Sequence, residues 1–448
     1  FDSNTRVVYQ TSYKVNVTKR GNLYQYRFEI APQGGVRKFI NKSGFKTKQD
    51  AYVAGMKAFN EYMNTGKKFS PNTCSYSDFL DYWMANYCQI NLRYNTIEAY
   101  KSIIKNHVKP KLGFYRLSQI DTATLNDFLT DVFLNKGVSK NFLKSIMKVL
   151  KSSFAYAEDG VGFIKHNPAL KIRLPRYDGH DEDPAHIFTP EEIEMIFNRF
   201  KNSHCIYYAF LTAYYTGLRV SEVFGLTWED IDLKNKKLTV NKNIVEKNQV
   251  GGTKHRLIKG QRTTVWYFGP CKTKASYRTI DIGDTLVAAL KEFKEEQEIY
   301  KEQYGDSYIK HYAKEVLNQY TNKPETKIVD CSAEIDVALP EVHLVFIKNN
   351  GAFEGNNTCK YPFKVIHYEL GIPCRFHDFR DTHATRLIEA GADIKAVSKR
   401  LGHSTIETTY NIYVRVTIQM EEEVVSKFED YADSLEITIS RKPTESIS

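Results

Sequence analysis

The chain has 448 residues, 42% of them hydrophobic and 26% charged; at roughly 100–200 residues per domain this is a multidomain protein with enough apolar material for real cores. No run approaches the ~20 apolar residues of a membrane helix, the first 14 residues hold no apolar leader segment, and the seven cysteines contain no CxxC pair, so a disulfide framework or zinc site is not expected and a reducing cytosol is. The net charge of +10 is unevenly spread: residues 1–70 carry 13 basic and 4 acidic side chains, residues 187–448 carry 35 and 37, and a basic front module points to nucleic acid.

In chain order, Tyr13–Val17, Leu23–Ile30 and Val36–Ile40 alternate polar and apolar residues and predict three short strands, with turns at 19–22 and 32–35. Thr47 then opens a helix that ends near Gly66. Lys14, Lys19, Arg20, Arg27, Arg37 and Lys38 lie on or beside the strands, where a basic face can enter a DNA groove. Residues 70–174 read as four helices. The first carries Phe79, Leu80, Trp83, Met84 and Tyr87. The second starts on an Asn95–Glu98 capping box and stops at Pro110. The third carries Leu125, Phe128, Leu129 and Val132, and the fourth runs from Ser139 to Phe154 with lysines 140, 144, 148 and 151 near one face. Residues 175–187 have a linker composition. Thr189, Pro190 and Glu192 then mark a helix start, and the rest is mainly helical apart from a strand-rich stretch at about 236–283. The fold class is therefore multidomain and mainly α: a small three-stranded sheet with one helix, a helical domain, and a mixed α/β, mostly α, third domain.

Four short motifs of the third domain carry the chemistry. Thr216-Gly-Leu-Arg-Val-Ser-Glu222 places Arg219 at a helix start, with Glu222 one turn on to orient it. Cys271-Lys-Thr-Lys-Ala-Ser-Tyr-Arg278 reads as a turn into a strand that displays Lys272 and Lys274. His377-Asp-Phe-Arg380 puts a histidine and an arginine on one helical turn. Leu401-Gly-His403 ends a helix begun near Asp393, and Tyr413 follows ten residues later. Each is weak alone.

Together, and in this order behind a helical domain, they resemble the tyrosine recombinase (phage integrase) family, most closely the integrases of conjugative transposons. The resemblance covers about residues 10–432. It implies phosphoryl transfer from DNA to a tyrosine and back, with neither nucleotide nor metal. Arg219 and Arg380 would clamp the phosphate, Tyr413 would be the nucleophile, His377 would accept its proton and His403 would bond the phosphate. Lys272, on a hairpin, would protonate the 5′-oxygen. Lys274 also fits that lysine position and is otherwise expected to contact DNA. Tyr410 sits too near His403 for the usual spacing and is expected in the core. The implied domains are 1–68 for arm-type DNA, 70–174 and 188–434 closing as a clamp on the core site, a 175–187 linker and a 435–448 polar tail. Beyond the simplest pattern stand two insertions, at about 246–267 and 304–357, and an acidic helix at 417–432 that would dock onto a neighbouring subunit. The implied partners are double-stranded DNA, a homotetramer, an excisionase and a host DNA-bending protein, in a cytoplasmic, nucleoid-associated setting without a membrane.

Overall fold

The alternating front segment forms an antiparallel sheet of β1 (Asn16–Arg20), β2 (Leu23–Gln33) and β3 (Val36–Phe45) in that order. β1 runs further than its pattern predicts, to Arg20 paired with Leu23. The turn shrinks to Gly21 and Asn22, where Gly21 takes φ +64°, the left-handed backbone that a two-residue hairpin requires. Helix α1 (Lys48–Thr65) starts as expected, with Thr47 Oγ1 accepting the Asp50 N–H at 3.1 Å. It packs on Tyr26 and Phe28 through Ala54, Ala58 and Phe59. The approach is close enough to need Gly55, whose missing Cβ would lie 2.6 Å from Val15 Cγ1 and 2.8 Å from Tyr26 Cβ.

This computed structural model describes residues 15–33, 36–65, 74–175, 185–248 and 264–414, in two units, 1–181 and 182–448. The core of the linker, Lys14, the middle of the first insertion (249–263), the acidic helix at 417–432 and the polar tail at 435–448 lie outside the described residues.

The helical part of the first unit has its own core around Tyr76, Phe79, Trp83, Leu129, Ile146 and Phe154. Its helices are α2 (Tyr76–Trp83, continuing through a wide turn to Asn91), α3 (Tyr94–Ile103), α4 (Thr122–Lys136) and α5 (Lys140–Ala155). Ser75, Asp121 and Ser139 cap three of them by accepting backbone N–H groups. Two expectations for α3 are corrected. It begins after Arg93, so Asn95 is already helical and Glu98 pairs instead with Lys101 at 2.7 Å. Nor does Pro110 end it. A wide turn over Ile104–Val108 resets the hydrogen-bond ladder, Lys109 N–H reaching back to Ile104 O, and Pro110 enters at the start of the next segment, Lys109–Leu112, where its missing N–H costs least.

In the second unit, α6 (Pro190–Phe200) carries the predicted Thr189–Glu192 capping box in full. Helix α7 (His204–Thr216) is apolar nearly all round and lies in the core, and the four-residue α8 (Val220–Val223) follows. Strands β4 (Ile231–Asp232), β5 (Lys237–Val240) and β8 (Arg278–Asp281) form one sheet, β5 pairing directly with β8. Between those two strands the chain leaves to make β6 (Asn243–Asn248) and β7 (Thr264–Gly269). After α9 (Asp284–Tyr304) the second insertion supplies β9 (Ile309–Leu317) and β10 (Pro324–Ser332), which add to β7 in a second sheet ordered β6-β7-β10-β9. The two insertions thus complete each other. The lysine segment 270–277 is consequently no simple hairpin tip but the strap between two sheets. Helices α10 (Lys360–Tyr368), α11 (Phe376–Glu389), α12 (Ile394–Leu401) and α13 (Ile406–Val414) complete the unit. The last three close on Ala384, Val397 and Leu401 with Ile412 against them.

Candidate active site

In the second unit α7 ends on the left-handed Gly217 (φ +66°) and α12 on the left-handed Gly402 (φ +69°). Their neighbourhoods meet at Arg380. This side chain, on the second turn of α11, is wholly buried. Its Nη1 donates to Gly217 O and its Nη2 to Leu401 O, each at 2.6 Å. A cation at two helix C-termini is where the helix dipoles favour it. Its Nε–H has no partner among the described residues. Two residues after Gly217, Arg219 opens α8. Its Nη1 donates to Glu222 Oε1 at 2.7 Å and its backbone N–H to Oε2 at 3.1 Å. Buried Glu222 also receives Arg278 Nη2 at 3.0 Å. Burial alone would raise the Glu222 pKa, but Arg278 and Arg219 override it and hold the carboxylate below its ordinary value.

The site is a focus of positive charge. Burial, then repulsion from Arg219, lowers Arg380 to about 9, so it remains cationic at neutral pH. Burial, Arg380 and Arg219 push His377 down to about 4. The same causes, with His377 and Arg278 added, push His403 down to about 3. Both imidazoles are thereby kept neutral at pH 7, by loss of solvation first and the neighbouring arginines second, although the His377 side chain still keeps 54% of its surface exposed. His403 follows Gly402 directly, and its Nδ1 bonds the buried Thr409 hydroxyl at 2.8 Å. Tyr413 lies in α13, the helix that carries Thr409. Tyr410, expected in the core, is instead 54% exposed: its neighbour Thr409 takes the inward position, and one residue further turns the side chain out by about 100°. Lys272 and Lys274 are exposed on the strap, outside the buried cluster. Arg219, His377, Arg380 and His403 therefore share one electrostatic neighbourhood, a concentration of fixed cations and neutral imidazoles suited to stabilising charge on a phosphoryl group.

A comparison with family models matches residues 186–420, over half the chain, to the phage integrase family. The chain belongs to that family. Residues 75–133 match a phage integrase N-terminal SAM-like domain and residues 13–54 an arm DNA-binding domain. A XerC-like tyrosine recombinase of Caldanaerobacter subterraneus is 28% identical over 429 residues, 93% of this chain and 98% of the relative. The ICEBs1 integrase of Bacillus subtilis is 24% identical, covering 86% and 90%. A solved integrase of the transposon Tn1549, in complex with transposon right-end DNA, superposes with a TM-score of 0.57 at 20% identity, over 79% of this chain and 99% of its own, a likeness of fold. The enzyme is a tyrosine recombinase.

Residues to which the sequence reading gives no catalytic role also converge here. His383 Nδ1 bonds Tyr214 O at 2.8 Å, and its Nε2 accepts from Arg400 Nε at 3.1 Å. Arg400 donates further to Asp281 O and Tyr215 O. Arg278 takes Arg400 O and Ser276 O as well as Glu222. Their partners lie up to 185 residues away. The one sequence signal was proximity: Arg278 closes the lysine motif, His383 follows Arg380 by three residues and Arg400 precedes Leu401-Gly-His403.

Proposed function

We propose that Arg219, Lys272, His377, Arg380, His403 and Tyr413 form the catalytic set of this site-specific recombinase, which integrates or excises a mobile DNA element. The observation that carries the reading is Arg380: a buried guanidinium whose Nε–H has no partner among the described residues, beside Arg219 and two neutral imidazoles. Such a site gains most from an anion with several oxygens. The Tyr413 phenol oxygen would attack a DNA phosphorus while its proton passes to His377. The bond to the 5′-oxygen breaks, and that oxygen takes a proton from the Lys272 ammonium. The product is a 3′-phosphotyrosyl link and a free 5′-hydroxyl. A 5′-hydroxyl from the exchanging strand reverses the steps, so the bond energy is conserved. With the Thr409 hydroxyl donating to Nδ1, His403 would carry its proton on Nε2 and offer it to a non-bridging oxygen.

Residues 1–68 would hold arm-type DNA, 70–174 and 188–434 the core site, with Lys274 on the DNA backbone. Four copies would act on two duplexes, with an excisionase and a host bending protein setting direction. Among the described residues no helix is long and apolar enough to cross a membrane.

The test is capture of the covalent adduct on a nicked suicide duplex by denaturing gel. Tyr413→Phe, which removes only the phenol oxygen, is expected to abolish the adduct and leave DNA binding within about threefold, since most affinity comes from phosphate contacts. An adduct that persists in Tyr413→Phe but vanishes in Tyr410→Phe reassigns the nucleophile.

A further inference from the structure

Arg278 lies in the motif that carries the lysine, yet its guanidinium is turned away from solvent, with the side chain only 6% exposed. Three of its nitrogens reach three separate parts of the chain. Nη2 donates to Glu222 Oε2 at 3.0 Å, the carboxylate that also holds Arg219. Nε donates to Arg400 O at 2.7 Å, in the last turn before Gly402 and His403. Nη1 donates to Ser276 O at 3.0 Å, inside the lysine strap. The strap is itself stiff at this point. Ser276 is fully buried, its N–H bonds Thr273 O at 3.1 Å, and the two hydroxyls meet at 3.0 Å, which fixes the residue next to Lys272. The strap also sits directly on the histidine corner: a Cβ on Gly402 would come within 2.7 Å of Ala275 O and 3.1 Å of both Ser276 Cα and Arg278 Cδ.

We propose that Arg278 is a positioning residue for the recombination reaction, fixing the lysine strap against the Arg219–Glu222 pair and the His403 corner so that the strap's ammonium meets the leaving 5′-oxygen. The inference rests on the reading of a strap lysine as the general acid. Only a planar fork serves three acceptors in these directions; an ammonium is a single point charge. Because Arg278 spends its donors on the protein, it acts through the lysine and not on the phosphate. The step it serves is the transfer of one proton from the lysine to the 5′-oxygen as the P–O bond breaks, and its loss should be felt only where that proton is needed.

A leaving group that departs without a proton separates this role from a purely structural one. The full chain is assayed at saturating protein in single turnover on two suicide duplexes, identical except that one carries sulfur in place of the bridging 5′-oxygen at the scissile phosphate. Thiolate leaves unprotonated. Arg278→Ala is expected to lose about 100-fold in cleavage of the oxygen substrate, within the range of general acid catalysis, and to stay within about threefold of wild type on sulfur. Arg278→Lys keeps a cation opposite buried Glu222 and so preserves the fold, but loses the fork; about a tenfold loss confined to oxygen is expected. Equal losses on both substrates, or full activity of Arg278→Lys on oxygen, overturn the proposal. Lys272→Ala and Lys274→Ala, run alongside, test the underlying reading separately. If neither shows an oxygen-selective loss, the strap lysine is not the acid, whatever Arg278 does.

Discussion

A guanidinium taken out of water is stabilising only when its hydrogen bonds are nearly complete. In Arg380 two backbone carbonyls, Gly217 O and Leu401 O, each hold one terminal nitrogen, and the Nε–H, without a partner among the described residues, is left for an anion to complete the set. The geometry sets Arg380 apart from an ordinary surface cation: its plane is fixed by the ends of two helices before any substrate arrives, so little reorganisation remains to be done in the transition state. A lysine at this position would keep the charge but reach only one carbonyl. Arg380→Lys is therefore expected to lower single-turnover cleavage by about 100- to 1,000-fold, the scale seen for loss of one fixed donor, with DNA affinity changed far less. A quench-flow or gel time course on the suicide duplex, with affinity measured by fluorescence anisotropy, checks this; parallel losses in rate and affinity would make Arg380 a binding residue. The His377-x-x-Arg380 spacing was legible in the sequence because both residues belong to one helical turn. The two carbonyls were not, since Gly217 lies 163 residues from Arg380 and only the packed fold brings them together.

Among the elements, α7, α11 and α12 are laced together by His383 and Arg400 as much as by apolar packing. His383 donates from Nδ1 to Tyr214 O and accepts at Nε2 from Arg400. That pattern is possible only for the neutral ring, because an imidazolium would point a proton at a guanidinium. Burial, then Arg400, accordingly holds its pKa at about 4 against an ordinary 6.5. The sign of the linkage follows. In the unfolded chain His383 binds a proton below about 6.5, and in the folded chain only below about 4. Its stabilising contribution is complete above pH 6.5 and is lost as pH falls from 6.5 towards 4; His377 and His403 add in the same direction. Thermal unfolding of the full chain should show the second unit losing stability over that window, with the His383 share on the order of 3 kcal/mol. His383→Asn should lower the midpoint at pH 7 by a few degrees and flatten the decline between pH 6.5 and 4.5. An unchanged slope in the variant would assign the pH dependence elsewhere. Elements with local signals, such as the Thr189 capping box and the helix that ends on Gly402, were legible from sequence. Those not so marked were missed: after α3 a wide turn resets the ladder and Pro110 enters at the start of a further helical segment, and β7, just before the lysine motif, pairs with β10 of a second insertion.

Across the whole molecule, the basic charge of the front segment has a definite place. α1 covers one face of the sheet through Tyr26 and Phe28, so the opposite face is open. Alternation puts Arg20, Arg27 and Arg37 on that open face, with exposed Phe39 under the Arg27 guanidinium at 3.8 Å. Lys19 falls on the other side, beside Tyr24. The sheet core is separate from the helical core of residues 74–172, so residues 1–70 can be removed without opening the second core. If the open face holds a DNA site of its own, the 70–448 fragment should cleave a short core duplex at the full-length rate. It should fail in recombination that depends on flanking arm sites, and its footprint should lose the arm region. Its non-specific affinity should also become less dependent on salt, because each phosphate contact removed takes about 0.9 from the log–log slope. Three arginines released from phosphate would lower that slope by about 2.7. The alternative is that these arginines are solvated charge, with Arg37 already engaged at 3.5 Å by Glu29. Binding isotherms for the two proteins across a salt series, with footprints on the element's own ends, decide between them. Identical slopes and identical footprints would remove the arm-binding role from the front sheet while leaving the chemistry of the second unit untouched.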